Sequence, residues 1–193
     1  MKNLGQTITL LGVHCIHMSE DDIKRAGRAK MSLAHIAKGN ATGGTIAPTA
    51  KMRREGVRMT LGTDNMHADM IEVMRWALAV ARVQVGSVPP DWQPAHALGM
   101  ATTEGARAMG LEREIGGLEA GKKADLVVVD FRRIHLTPTI NPLGNLVHVA
   151  QGRDVEHVII DGRVVVENGE PTLADREAIR REAQNAAEAL WRR

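Results

Sequence analysis

The sequence predicts an α/β fold in which parallel strands are joined by helices, with a smaller β-rich segment after them. Over the first 85 residues, apolar β-rich runs alternate with helical patterns roughly every 25 residues, which is typical of parallel strands with helical crossovers. Each of these runs ends close to a polar side chain that can take part in chemistry: His14, His35 and Asp64. Further along, Asp161-Gly162 separates two β-branched runs and predicts a hairpin.

The first part of the chain contains three predicted strand–helix units. Their elements are, in order, a strand over 7–13, a helix from Ser19 to about Lys30, a strand over 32–36, a Gly-rich loop over 38–45, a short helix from Pro48 to about Arg54, a strand over 57–61 and a long helix over 69–85. Ser19 and Asp22 have the spacing of a capping box, and Pro48 suits a first helical turn. Because active sites of (β/α) barrels lie at the carboxyl ends of the strands, the three polar strand ends are expected to meet.

The second part is predicted to be helical at first and then rich in β-structure. Its elements are, in order, a helix over 93–110, a strand over 124–130, a hairpin of strands 155–160 and 163–166, and a helix from about Leu173. Thr172 and Asp175 are predicted to cap this last helix. Its apolar stripe would consist of Ile179, Ala183, Ala186, Leu190 and Trp191.

Composition and charge exclude several classes of function. Lys and Arg number 25 and Asp and Glu 23, so the net charge of +2 gives no electrostatic case for nucleic-acid binding. Three Trp and one Phe are too few for a base-stacking surface. No apolar run approaches the ~20 residues of a membrane span, and no secretory signal is expected. The single Cys15 excludes an internal disulfide and indicates a reducing compartment, so a cytoplasmic location is expected.

Asp64, in the segment Gly62-Thr63-Asp64, is the sharpest candidate for chemistry. A carboxylate at a strand end can bind a divalent metal or accept a proton from water, but it can equally cap the following helix. His14 can act as a ligand, a general base or a donor to substrate, against the alternative of a buried histidine with its hydrogen bonds satisfied. Cys15 is not expected to act with His14, because adjacent strand residues point to opposite faces.

A second pair of candidates, His35 and Asn40, combines a strand-end imidazole with an amide in the Gly-rich loop. The alternative for Asn40 is turn chemistry, because Asn tolerates left-handed backbone conformations. His67 is expected either to line the same site or to be solvated.

Six segments together carry a family resemblance. They are His14 to Ser19, His35 to Asn40, Leu61 to Asn65, Ala101 to Leu111, Ile115 to Val127 and Val158 to Arg163. In this order they resemble the amidohydrolase superfamily, in the branch of cytosine, guanine and S-adenosylhomocysteine deaminases and triazine chlorohydrolases. The resemblance extends over essentially the whole chain.

The resemblance implies a role for each candidate. Asp64 corresponds to the metal-ligating, proton-shuttling Asp after the eighth barrel strand, and His14 to the His after the sixth strand, which contacts the attacking water and the substrate. These two are therefore the expected catalytic residues, with Asp64 as the metal ligand.

Four further residues are expected from the resemblance to contact substrate. Asn65 and His67 lie in the loop after the expected eighth strand, and His35 and Asn40 match a His-Asn-Pro-x-Ser-Asn-like loop. In this chain the Pro and Ser of that loop are replaced by Ala37 and Gly39, which removes part of the loop's expected rigidity.

One departure from the family determines the expected fold. The family's His-x-His pair, its third His ligand and its catalytic Glu have no counterpart in the sequence, so the set of metal ligands is incomplete. The resemblance implies an α/β fold made of the last three βα units of a TIM (β/α)8 barrel, part of a small β-sandwich and a C-terminal helix. The expected domains are 1–110, 111–171 and 172–193, respectively, and the chain corresponds to the C-terminal half of such an enzyme.

The implied activity is the metal-dependent hydrolytic deamination of a small N-heterocycle, which breaks a non-peptide C–N bond. Hydrolytic dechlorination of such a heterocycle is the other implied reaction. Zinc is the favoured ion and iron the alternative. The competing hypothesis is a catalytically incompetent half-barrel that acts only as the structural partner of a complementary chain. A complementary N-terminal half or a homo-oligomer is the expected protein partner, and neither nucleic acid nor membrane is expected.

Overall fold

The structure is a computed structural model that describes residues 10–65 and 67–192. Its elements are, in chain order, β1 (Leu11–Val13), α1 (Glu20–Arg28), β2 (Ser32–His35), α2 (Ala37–Thr42), α3 (Thr49–Arg54), β3 (Arg58–Leu61), α4 (Met70–Val85), α5 (Pro94–Ala101), α6 (Thr103–Met109), β4 (Leu126–Val129), α7 (Pro142–His148), β5 (Val155–Ile160), β6 (Arg163–Glu167), β7 (Glu170–Pro171) and α8 (Arg176–Trp191). The fold is therefore mixed α/β, as the sequence predicts. Of the predicted strand 7–13, residues 7–9 lie outside the described residues.

The first sheet is parallel and has the strand order β1-β2-β3. Val13 pairs with Ala34 and His35 pairs with Leu61, so the carboxyl ends of the strands meet at one edge. Within the described residues the sheet is open, because β1 and β3 each pair with β2 alone. The predicted meeting of the strand ends is therefore confirmed for this sheet.

Alternation along the strands gives the sheet two different faces. Leu33 and Met59 are buried in the main hydrophobic core together with residues of the surrounding helices. Ser32, Arg58 and Thr60 alternate with them and lie on the opposite face, where the Thr60 hydroxyl donates to the carbonyl of Leu33 at 3.1 Å. One face thus packs against helices, and the other is lined by polar side chains of β2 and β3.

Local signals fix most helix boundaries. Ser19 accepts a hydrogen bond from the N–H of Asp22, whose carboxylate in turn accepts the N–H of Ser19, so the predicted capping box of α1 is confirmed. Asp69 caps α4 by accepting the N–H of Glu72 at 3.1 Å. Its second carboxylate oxygen accepts the N–H of Gly152 at 2.8 Å, which ties the start of α4 to a distant part of the chain.

The predicted Gly-rich loop over 38–45 is wrong for its first five residues, which are helical. Residues 37–42 form α2, closed by i→i−4 bonds from Asn40 to Ile36 and from Gly43 to Gly39. Left-handed backbone begins only at Gly44, with φ of 75°. Gly39 therefore lies inside the helix, and Gly43 is its C-cap.

The second sheet is antiparallel, with the order β4-β5-β6-β7. The predicted hairpin is confirmed: Asp161 and Gly162 have φ of 49° and 77°, the left-handed pair that a type I′ turn requires. Asn168 and Gly169 form a second left-handed pair before β7. This second turn was not among the sequence predictions.

The last helix differs from its prediction in two respects. Asp175 caps it by accepting the N–H of Ala178, but the hydroxyl of Thr172 donates to the carbonyl of Val164 at 2.8 Å and takes no part in the cap. The helix begins at Arg176 because the Asp175 cap lies there. Its predicted apolar stripe is exposed, as no described residue of α8 is buried. No helix within the described ranges is both long and apolar enough to cross a membrane.

Candidate active site

His14 and Asp64 lie at the carboxyl edge of the parallel sheet and share an uncommon backbone conformation. His14 follows β1 directly and has φ of 60°, and Asp64 follows β3 after Gly62-Thr63 and has φ of 58°. Residues other than Gly adopt this left-handed region rarely, and such residues concentrate at functional sites. The two side chains are brought together although 50 residues of sequence separate them.

The imidazole of His14 is the centre of the site. Its Nδ1 lies 2.9 Å from Oδ1 of Asn40, and its Nε2 lies 3.5 Å from Oδ2 of Asp64. The side chains of His14 and Asp64 are 42% and 36% exposed, so the two groups are accessible at the surface of the described chain. Three of the candidate residues, two that follow strands β1 and β3 and one from helix α2, therefore form one contact group.

Asp64 uses its two carboxylate oxygens differently. Oδ1 accepts the backbone N–H of Asn65 at 2.8 Å, whereas Oδ2 faces His14. Asn65 is exposed beside it. The capping alternative for Asp64 does not apply, because α4 is capped by Asp69. Its second oxygen is thus directed to the site and not to the next helix.

Asn40 is buried, with 5% of its surface exposed, on α2. Its Oδ1 is engaged by His14, and its Nδ2 is buried without a hydrogen-bond partner among the described residues. A buried donor without a partner costs about 1–3 kcal/mol, so groups of this kind mark positions where a further group is accommodated.

His35 is fully buried at the end of β2. Neither ring nitrogen has a hydrogen-bond partner in the described part of the chain, and burial lowers the pKa of His35 to about 4. The two-residue repeat of the strand puts it on the same face as Leu33, which packs against the helices. His35 is therefore a neutral imidazole at neutral pH, and no hydrogen bond or ion pair among the described residues joins it to His14 or Asp64. Its predicted contact with substrate stays a prediction.

His67 belongs to a neighbouring cluster that sequence analysis missed. Nζ of Lys38 donates to Oε2 of Glu72 at 2.7 Å, and Nε2 of His67 lies 4.0 Å from the same oxygen. The hydrogen bond from Lys38 lowers the pKa of Glu72. Both ring nitrogens of His67 are buried and lack hydrogen-bond partners among the described residues. The only sequence signal for this cluster was the position of Glu72 three residues after the cap Asp69, on the charged face of α4.

Cys15 faces away from the site, for a reason other than strand alternation. The residue follows β1 and has φ of 51°, so it is not part of the strand. Its Sγ approaches Gly12 and the side chain packs against the hydrophobic core, and burial raises the pKa of its thiol. A raised pKa disfavours the thiolate, which is the nucleophilic form.

The donor chemistry of the site fits part of a metal centre. A carboxylate and a neutral imidazole nitrogen are both ligands that divalent zinc accepts. Over residues 10–65 and 67–192, no group of three or more His, Cys, Asp or Glu side chains converges as a metal site. Asp64 therefore stays the predicted metal ligand, with His14 beside it.

A cavity of about 460 Å³ lies elsewhere, at the amino end of β3. It is lined by Arg58, Glu104 and residues of α5, and it contains none of the candidate residues. The guanidinium of Arg58 and the carboxylate of Glu104 are paired at 3.3 Å. This cavity is therefore separate from the candidate active site.

Comparisons with known proteins identify the family of the chain. The sequence profile described as "Amidohydrolase family" matches residues 1–165. A 5-methylthioadenosine/S-adenosylhomocysteine deaminase of Moorella thermoacetica is 42% identical over 180 residues, covering 89% of this chain and 41% of the relative. A 5'-deoxyadenosine deaminase of Methanosarcina acetivorans is 39% identical over 189 residues, covering 94% of this chain and 42% of the relative. The chain thus spans about two fifths of the length of these relatives.

Solved structures give the same result for the fold. An adenosine deaminase from Xanthomonas campestris with bound zinc superposes with a TM-score of 0.89 at 27% identity, covering 95% of this chain and 43% of that one. The zinc complex of atrazine chlorohydrolase from Arthrobacter aurescens matches with a TM-score of 0.77 at 24% identity, over 91% of this chain and 40% of that one, and supports the fold alone. The family model and the sequence relatives lead to one assignment: the chain belongs to the amidohydrolase family.

Proposed function

We propose that the chain supplies the carboxyl-edge part of a metal-dependent hydrolase site that deaminates a small N-heterocycle. The observation that carries the proposal is the contact group of Asp64, His14 and Asn40, at 3.5 and 2.9 Å, on the edge where parallel strands end. Two relatives named as deaminases of adenosine derivatives support an adenosine-type nucleoside as substrate. Dechlorination of a heterocycle is the second reaction considered, and its support is limited to the fold.

The roles of the residues follow from their atoms. Asp64 would hold the divalent ion, zinc rather than iron, and when bound that ion would supply Lewis acidity and make water more acidic. The Asp64 carboxylate can also accept a proton at Oδ2, and His14 Nε2 beside it can accept a hydrogen bond from water or substrate. His35, Asn40, Asn65 and His67 are proposed to contact the heterocycle or to support the residues that do.

The architecture proposed for the chain is that of the last three βα units of a (β/α)8 barrel over 1–110. Part of a small β-sandwich over 111–171 and the helix within 172–193 complete it. The open parallel sheet and the antiparallel β4–β7 sheet support this division. We further propose that the protein acts in the cytoplasm, which its single cysteine favours.

A non-catalytic half-barrel that pairs with a complementary chain is the alternative. The unpaired edge of β1, and the lack of a group of three or more potential metal ligands within the described residues, favour it. For turnover the proposed partner is a complementary half that supplies further ligands, because a second copy of this chain would bring only the same side chains. A homo-oligomer is the candidate partner in the non-catalytic alternative.

Reconstitution distinguishes the two functions. Zinc content and ammonia release from 5'-methylthioadenosine, S-adenosylhomocysteine and 5'-deoxyadenosine are measured for the 193-residue chain alone and mixed with the N-terminal three fifths of the Moorella relative. We expect little zinc and no turnover for the chain alone, and turnover in the mixture. An otherwise identical mixture made with Asp64→Asn should be inactive. A stable mixed complex that binds zinc but releases no ammonia would favour the non-catalytic alternative.

A further inference from the structure

The orientation of the Asn40 amide indicates which nitrogen of His14 carries the proton. Oδ1 of Asn40 faces Nδ1 of His14 at 2.9 Å, and because an amide oxygen only accepts hydrogen bonds, Nδ1 is the donor in this orientation. In the neutral imidazole the other nitrogen, Nε2, then has a free lone pair. This lone pair lies on the side of the ring that faces Asp64, 3.5 Å from Oδ2.

Asn40 is held rigidly enough to impose this arrangement. Its backbone N–H donates to Ile36 at 3.0 Å, and its carbonyl accepts both the N–H and the hydroxyl of Thr45, at 2.9 and 3.2 Å. The side chain is buried, with 5% of the residue exposed. The backbone N–H of His14 donates to the carbonyl of Ala34 at 3.3 Å, which anchors the backbone of His14 at the end of β1.

We propose that Asn40 is a positioning residue that holds neutral His14 in the Nδ1–H tautomer. Nε2 of His14 and Oδ2 of Asp64 then form two adjacent acceptors, into which a proton donor such as water or a substrate N–H fits. The tautomer is inferred from the orientation of the Asn40 amide. Only its use in hydrolysis rests on the function proposed above. Asn40 thus acts through His14.

Nitrogen-15 NMR tests the tautomer directly, without any enzymatic activity. The 193-residue chain is labelled at the histidine ring nitrogens and measured at a pH above ~8, where an ordinary imidazole is neutral. His14→Gln identifies the resonances of His14. We expect a protonated Nδ1 and an unprotonated, pyridine-type Nε2. A protonated Nε2 in the unaltered chain overturns the proposal, whatever the variants do.

Three variants test whether the side chain of Asn40 determines the tautomer of His14. Asn40→Leu removes the acceptor, and we expect His14 to lose its single tautomer and populate both. Asn40→Asp keeps an acceptor oxygen, so the Nδ1–H form should be retained. Thr45→Val is the matched control, because it removes the hydroxyl bond to the Asn40 carbonyl but leaves the side-chain amide in place. An unchanged tautomer in a folded Asn40→Leu chain contradicts the proposal. If Asn40→Leu does not fold, loss of the Nδ1–H form in Asn40→Asp is the contradicting result.

In an active enzyme that contains this chain, the same variants separate the inference from the proposed function. Loss of a hydrogen bond that orients a site histidine lowers activity by about 10- to 100-fold. We expect Asn40→Leu to lower kcat by this factor with a smaller change in KM, and Asn40→Asp to recover part of it. An Nδ1–H tautomer in a complex without deaminase activity would leave the inference standing and refute the proposed function.

Discussion

Nε2 of His14 and Oδ2 of Asp64 lie 3.5 Å apart, and both residues have left-handed backbone conformations. The two residues follow the outer strands of a three-stranded parallel sheet, and Asn40, from the helix after the middle strand, holds the far side of the imidazole. A carboxylate and an imidazole nitrogen are thus directed to one point from separate strand ends.

Substitution of Asp64 is expected to lower both turnover and bound metal, whereas substitution of His14 is expected to lower turnover alone. In an active enzyme containing this chain, Asp64→Asn should lower kcat by at least about 100-fold and reduce the bound metal, because the amide is a poorer ligand and accepts no proton. His14→Ala should lower kcat similarly but leave the metal in place. Turnover and elemental analysis of the same samples provide the measurement. Asp161→Asn, in an exposed turn, is the matched control. Loss of metal in His14→Ala would make His14 a ligand as well.

Burial of His35 predicts a loss of stability in acid. The pKa of His35 is about 4 in the folded chain, against about 6.5 in the unfolded chain. Between these two pH values the unfolded state binds this proton and the folded state does not. The free energy of unfolding should fall as the pH drops from ~7 to ~4, by on the order of 3 kcal/mol, and His35 adds no further loss below that. Urea denaturation at a series of pH values measures it. His35→Phe should flatten this dependence, whereas substitution of the exposed His17 by Gln should not. An equally steep profile in His35→Phe would refute the assignment.

Gly27 is expected to tolerate no side chain. A Cβ at this position would lie 1.8 Å from the carbonyl oxygen of Glu55, a backbone atom that can move only with its chain. Gly27→Ala should therefore destabilise the fold by about 3 kcal/mol or more. Gly99 provides the matched control in another helix, since its nearest neighbour, Oγ1 of Thr103, would be 3.8 Å away. Gly99→Ala should be neutral or stabilise by up to about 1 kcal/mol. Thermal or urea unfolding of both variants checks the prediction, which equal effects would contradict.

The free edge of β1 is expected to drive association of the isolated chain. Leu11 and Val13 are 38% and 52% exposed, and among the described residues β1 pairs only with β2. Unpaired strand edges with apolar side chains are templates for pairing with another chain. Sedimentation at micromolar concentration should show dimers or larger species, and Val13→Lys should reduce them. Val88→Lys, at an apolar position that is 65% exposed but outside the strands, should not. A monodisperse monomer would show that the edge is covered.

The sequence alone predicted most of the elements and the strand ends, because these depend on neighbours a few residues apart, but it missed helix α2 and the turn before β7. The capping box of Ser19, the cap at Asp175 and the left-handed pair Asp161-Gly162 are all local, and each is found where it was expected. The order of polar strand ends, with His14 first and Asp64 last, was also legible as a pattern.

Tertiary structure alone decided what those side chains touch. Asn40 lies 26 residues from its partner His14, and Lys38 lies 34 residues from Glu72, so neither pairing follows from local propensity. The burial of His35 depends in the same way on which face of β2 packs against the helices. Such contacts are fixed by strand order, register and helix packing over the whole sheet, and these are properties of the folded chain that a linear pattern does not contain.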